Sequence, residues 1–240
     1  MRLFTGERMT NPAVERVSND AITETCEDLY CRTYLMWKGL EGQLRTWPLK
    51  YGILYGPPIF RAPMFFMGAN PGGGEEGPLR TTWPDTFEYG DEQVTYDLAK
   101  FLQDVFRRAN RLDALQASTG ANLLFFRSKK LAALPEGNGW GNNPPEIRSL
   151  LENFCRSEVE KLIELLEPRM LFIMGKAVFD RFVPKPHSEV LAPVDRWVAA
   201  KGVVNGRVAI GIMHPTGCHW RRAEKDALAR YLEDRVPAIA

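Results

Sequence analysis

The sequence is poor in several things, and each shortage excludes something. Net charge is nearly absent: Lys+Arg 31 against Asp+Glu 30 leaves +1. A uniformly basic coat for wrapping nucleic acid is therefore excluded, while a local basic face is not. Cysteine is sparse, with Cys26, Cys31, Cys155 and Cys218 scattered over 240 residues, too few for a disulfide scaffold. No apolar run approaches the ~20 residues of a membrane span. The opening MRLFTGERMTNP has no apolar core of a secretory signal. Repeats and low-complexity tracts are also missing. The expectation is a cytoplasmic, monomeric protein without a membrane partner, its 45% hydrophobic content sufficient for one sizeable core.

Residues 1–50 read as a polar arm followed by a helix, since Ile22, Cys26, Leu29, Tyr30, Thr33 and Trp37 recur at helical spacing. Residues 51–240 read as an α/β domain joined to it in one compact unit, opening on a Gly- and Pro-rich loop over Tyr51–Pro63. Four short runs are continuously apolar: Met64–Met67, Asn122–Phe126, Met170–Met174 and Val208–Met213. Runs of this kind suit strands buried on both faces of a parallel sheet. Helical patterns separate them: Val94 to Phe106, then Leu150 to Leu166 between Pro144–Pro145 and Pro168, and finally Arg221 to Glu233. The pattern predicts a three-layer α/β/α fold with a central, mostly parallel four-stranded sheet. Ligands of such sheets bind at the carboxyl ends of the strands.

After the first run comes Gly68-Ala-Asn-Pro-Gly-Gly-Gly-Glu-Glu-Gly-Pro78. Consecutive glycines let backbone approach a ligand and aim amides at an anion, but they also suit a plain flexible connection. No Gly-Lys-Ser/Thr follows, so this is not a nucleotide-triphosphate loop. Asn122 is either a turn cap after Thr119-Gly120 or an amide that reads a base edge. Arg127, Lys129 and Lys130 behind it form a basic cluster, or simply a solvated loop. After the last run comes His214-Pro-Thr-Gly-Cys-His-Trp-Arg-Arg222, which holds two of the three histidines. A lone strand-end histidine is more often structural; this concentration favours a site. Zinc on His214, Cys218 and His219 is the competitor, but no fourth ligand stands at compatible spacing, and no metal or cofactor is expected.

Together, Gly68-Ala-Asn-Pro-Gly72 and His214-Pro-Thr-Gly217 resemble the first and second motifs of the uracil-DNA glycosylase superfamily. Between them, Asn122-Leu-Leu-Phe-Phe-Arg127 resembles the strand that carries the family's pyrimidine-reading Asn. The run from Glu146 through Cys155 to Gly175 resembles the helix, strand and glycine that follow it. The resemblance covers roughly residues 51–233. It implies DNA containing uracil or a related deaminated pyrimidine as substrate, and base-excision repair as the setting. Asn70 would position the water that attacks the sugar C1′. His214 would donate a hydrogen bond to the base O2 as negative charge develops, and Asn122 would read the O4/N3 edge. Gly68, Ala69, Gly72 and Gly73 would line the pocket, with Trp83, or Phe87 in reserve, stacking on the flipped base. Arg127, Lys129, Lys130, Thr216, Gly217, Trp220, Arg221 and Arg222 would contact DNA, with Trp220 as wedge. Such chemistry asks for base flipping, a placed water and anion stabilisation in a dry pocket.

The sequence departs from the family at three points. Some members carry an iron–sulfur cluster on four cysteines; here Cys155 fits one place, Phe126 occupies another, and Cys26 and Cys31 are spaced too widely. Members that reject thymine strictly carry Tyr where Gly72 stands, so weaker selectivity against a 5-methyl group is expected. Pro215-Thr216-Gly217 replaces the commoner Pro-Ser continuation. The first ~50 residues match nothing in the family and would form a partner surface or lid. Two alternatives remain: a non-catalytic relative that binds DNA, nucleotide or another small ligand, and a phosphate-ester enzyme using the glycine loop, which lacks a metal-binding carboxylate set.

Overall fold

A computed structural model describes residues 18–40, 42–43, 51–70, 80–128, 130–135, 137, 139–184, 189–191 and 196–236. Four parallel strands stand in the order β2-β1-β3-β6, and three of them are formed by the expected apolar runs. These are β1 (Phe65–Gly68), β2 (Thr119–Asn122), β3 (Met170–Met174) and β6 (Arg207–Ile212). Two further strands, β4 (Glu189–Leu191) and β5 (Ala199–Val204), extend the sheet antiparallel beyond β6. The sheet thus has six strands instead of the expected four. One of the two, β5, had a signal: Val203-Val-Asn-Gly-Arg-Val208 is an Asn-Gly hairpin that joins it to β6. Asn205 and Gly206 both take positive φ, 49° and 76°, as a two-residue turn matching strand twist demands.

The second strand is also displaced: it covers Thr119–Asn122, so Asn122 closes it instead of opening it. Gly120 looked like a turn residue, yet it is a close-approach position. A Cβ there would lie 2.4 Å from the Phe66 carbonyl oxygen on β1. The apolar run Leu123–Phe126 leaves the sheet, and all four of its side chains enter the same core cluster. Continuous apolarity does not separate a buried turn from a buried strand.

Alternating strand side chains feed two cores, one on each face of the sheet. Phe65, Met67, Leu171 and Ile173 face one core, with α1 (Asn19–Gly39), α4 (Pro145–Leu166) and α5 (Lys176–Phe182) above them. Phe66, Phe172, Ile210 and Ile212 face the other, against α2 (Asp97–Arg108), α3 (Leu112–Gln116) and α6 (Arg222–Arg235). Helix α4 starts on Pro145 at its first position and stops at Glu167, whose φ of 45° is left-handed, directly before Pro168. Helix α1 belongs to the same core as the domain. Its Tyr30 hydroxyl accepts the Leu54 amide at 3.1 Å, and Arg32 grips the buried Glu158 of α4 at 2.8 and 2.9 Å. No helix among the described residues is long and apolar enough to cross a membrane.

Replacing Gly120 by Ala should lower stability by about 3 kcal/mol, because the added carbon meets backbone, which has no rotamer to yield. Urea unfolding of the variant checks this; an unchanged midpoint would show that the strand pair separates freely.

Candidate functional site

The order β2-β1-β3-β6 reverses direction between β1 and β3, since the chain leaves β1 toward one edge and β3 toward the other. A crevice opens at such a switch point, outside the carboxyl ends of the strands. The register brings those ends to one level: Gly68 pairs with Asn122, Met67 with Ile173, and Met174 with Ile212. The segments that follow are Ala69-Asn70, Leu123 onward, Gly175 and Met213-His214. Strands about 4.8 Å apart separate the backbones at Asn122 and His214 by about 14 Å, with β1 and β3 between them.

Asn122 is 2% exposed, and its Nδ2 has no hydrogen-bond partner among the described residues. A buried amide N–H2 without a partner among the described residues is costly, which makes it a candidate ligand contact. Its Oδ1 lies 2.5 Å from where a Cβ on residue 68 would stand. Glycine at that position therefore makes room for the amide. The side chain of Met174 closes the same corner, 3.6 Å from that imagined carbon.

Asn70 is half-buried, and its Nδ2 donates to the Ser128 carbonyl at 2.9 Å and to Ser128 Oγ at 3.1 Å. A carbonyl accepts only, so the amide nitrogen must face Ser128, which fixes the direction of Oδ1. Ser128 Oγ in turn donates to the Lys130 carbonyl at 3.2 Å. Ser128 is thus the positioning residue that sequence reasoning missed. Wedged between Arg127 and Lys129, it carried no signal beyond a small hydroxyl.

His214 is half-buried after β6, and burial pushes its imidazole below its ordinary range. Thr216 Oγ1 lies 3.2 Å from Nδ1. The loop is pinned beneath by Glu224, 1% exposed, which accepts both arms of Arg196 at 2.9 and 2.7 Å and the Arg221 amide at 2.8 Å. Arg196 also bonds the His219 carbonyl. Arg196 and the Arg221 hydrogen bond hold the Glu224 carboxyl below the usual range, against its burial.

The other expected residues divide. Thr216, Gly217, Arg221 and Arg222 are exposed on the loop and the start of α6, and Lys130 is exposed near Ser128. Trp220, expected as a wedge, turns inward instead: it is 8% exposed with its ring 4.8 Å from Phe101 of α2. An indole seated between α2 and α6 fills core space and is not free to enter a duplex. Trp83, expected to stack on a base, lies 5.9 Å from Tyr30 on the α1 face. Phe87 lies on the Asn122 face, but its ring is enclosed by Phe66 and Tyr89 at 5.1 and 5.2 Å. It walls that side without an open ring face. Gly72, Gly73 and Lys129 lie outside the described residues.

Arg127 is half-buried, with Nε lacking a partner among the described residues. Desolvation, then the neighbouring Arg80 charge, push its pKa down. Arg80 pairs with Glu88, and Tyr55 stacks on Tyr89 at 5.4 Å beside them. Two guanidinium groups against one carboxylate make this corner a ready anion contact. Cys26 and Cys155 are buried in one core, where desolvation pushes each thiol up to about 12 and keeps it protonated. Cys155 Sγ accepts the Phe125 amide at 3.4 Å. Among the described residues no three His, Cys, Asp or Glu side chains gather to hold a metal, so His214, Cys218 and His219 form no such set.

No protein-family model matches the chain, and no curated protein matches it.

Glu224→Ala should cost about 3 kcal/mol in urea unfolding, because Arg196 loses both acceptors for its fork. A loss under about 1 kcal/mol would mean the loop is held elsewhere. In an NMR titration His214 should lose its proton at a pH below the ordinary ~6.5. Because the folded midpoint is the lower one, stability should fall as pH drops from about 6.5 through it. A midpoint at or above 6.5 would contradict the burial of this ring.

Proposed function

We propose that this protein is a DNA glycosylase of the uracil-DNA glycosylase type. It would hydrolyse the N-glycosidic bond of uracil, or a related deaminated pyrimidine, and leave an abasic site. The single observation that carries the reading is the buried, unpaired Asn122 amide beside Gly68, at the sheet edge shared with Asn70 and His214. A pyrimidine edge offers that N–H2 the acceptor it lacks, and the amide carbonyl can accept from the ring N3–H. In support, the fold has the helices on both faces and the four parallel strands that the resemblance implies.

In this reading the base leaves the stack and enters the crevice between β1 and β3. The C1′–N1 bond breaks with its electron pair going to the base. His214, neutral at pH 7, donates to the base O2 as that charge develops. In the tautomer this step uses, the Thr216 hydroxyl donates to Nδ1 at 3.2 Å and the ring carries its proton on Nε2. Asn70, oriented by Ser128, holds the water whose oxygen bonds to C1′ while its proton goes to solvent or to the departing base. An amide is too weak a base for proton abstraction, so Asn70 orients. Arg127 and Arg80 would hold backbone phosphate beside the site.

Oligonucleotides with one uracil, single-stranded or opposite G or A, should yield alkali-labile abasic sites. His214→Ala should slow the reaction about 100- to 1000-fold and Asn70→Ala about 100-fold, both with unchanged melting. No product on any substrate at enzyme excess would overturn the proposal. Salt-dependent DNA binding without product would favour the non-catalytic relative.

A further inference from the structure

A cleft of about 480 Å³ opens on the α4–α5 face of the same sheet edge. It is separate from the Asn122 corner. Strand alternation sends Met67 and Ala121 toward this face and Gly68 and Asn122 toward the other. Ala69, Leu123, Leu124 and Val178 make an apolar floor, and three arginines stand around it. Arg148 and Arg156 lie with Glu152 at four-residue spacing on one face of α4, and Arg181 faces them from α5. Glu152 is the carboxylate among the lining residues, and it accepts the Trp140 indole N–H at 2.6 Å. Arg156 bonds Glu160 at 3.0 Å and lies 6.0 Å from the centre of the Phe182 ring. Arg148 Nε is buried without a partner among the described residues.

Positive charge thus exceeds negative among the side chains lining the cleft, and Nε of the half-buried Arg148 has no acceptor among the described residues. Planar guanidinium forks match phosphate oxygens and stack on aromatic faces. The volume lies within the ~300–1,000 Å³ of small-ligand sites. We propose that this cleft binds a nucleotide, with the phosphate between Arg148 and Arg181 and the base over the Leu123–Leu124 floor. The nucleotide is either free or a unit of a strand passing over Ala69, the neighbour of Asn70. The charge and shape of the cleft make the proposal independent of the glycosylase reading.

The test is calorimetric titration of the full chain with thymidine 5′-monophosphate, thymidine, inorganic phosphate and pentathymidylate. None contains uracil, and the arginine variants distinguish binding in this cleft from binding at the Asn122 corner, so an inactive glycosylase would not alter the result. The monophosphate or the oligomer should bind, thymidine should bind about tenfold more weakly than its monophosphate, and R148Q/R181Q should weaken binding about tenfold or more. The exposed single variant R181E should also weaken it, and answers the test if the double variant fails to fold. Oligomer binding much tighter than the monophosphate assigns the cleft to a strand; equal binding assigns it to a free nucleotide. Absence of binding at millimolar ligand overturns the proposal. So does inorganic phosphate matching the monophosphate, or affinity indifferent to the arginine substitutions.

Discussion

The close approach of the Asn122 amide to the Cα of Gly68 governs this molecule's functional edge. A side chain at position 68 would stand where Asn122 Oδ1 lies, and strands β1 and β2 could not end level with that amide enclosed. With glycine there, the amide stays buried at the mouth of the crevice, and the chain can turn at once into Ala69 and Asn70. The same geometry explains the order of small and polar residues. Gly120 lets β2 lie against the Phe66 carbonyl, Gly68 lets the amide close over β1, and Gly175, at φ 104°, lets β3 turn sharply into α5. Two glycines on strands and one directly after a third do different work, all of it steric.

Much of the fold was legible because burial imposes period. Helices α4 and α6 start and stop within a residue or two of the boundaries that their prolines and apolar spacing indicate. Strands β1, β3 and β6 are buried on both faces and read as unbroken apolar runs. Strand β2 was misread because its composition, Thr-Gly-Ala-Asn, is set by what packs against it instead of by apolar demand. Strands β4 and β5 escaped because strands at a sheet edge carry a weaker apolar signal, although an Asn-Gly turn joins β5 to β6. At the site, motif residues were legible and their supports were not. Nothing in the sequence tells that Ser128 holds Asn70, or that Glu224 anchors the loop of His214 through Arg196. Trp220 misled because an aromatic beside two arginines looks like a wedge, whereas the space between α2 and α6 takes it.

The near-neutral total charge also acquires a spatial meaning. Arg80 and Arg127 lie on one side of the β1–β2 edge, and Arg148, Arg156 and Arg181 lie on the other. Elsewhere charges stand in mixed pairs, such as Glu158 with Arg32 across the α1–α4 contact and with Lys161 on its own helix. A protein of balanced composition can thus present a basic rim at one end of its sheet and an ordinary mixed surface around the rest.

The segment from Tyr51 to Tyr55 runs antiparallel along the outer side of β2, where Tyr55 donates to the Gly120 carbonyl at 2.9 Å and Leu54 bridges Ala121. At the far end of the sheet, β4 is three residues long. One margin is thus covered by the chain's own strap, and the other is a short strand, the kind of edge that limits strand addition. Since Leu54 is tied to Tyr30 of α1, loosening that helix would unfasten the strap. The N-terminal helix therefore holds that margin of the sheet in place as well as closing the core.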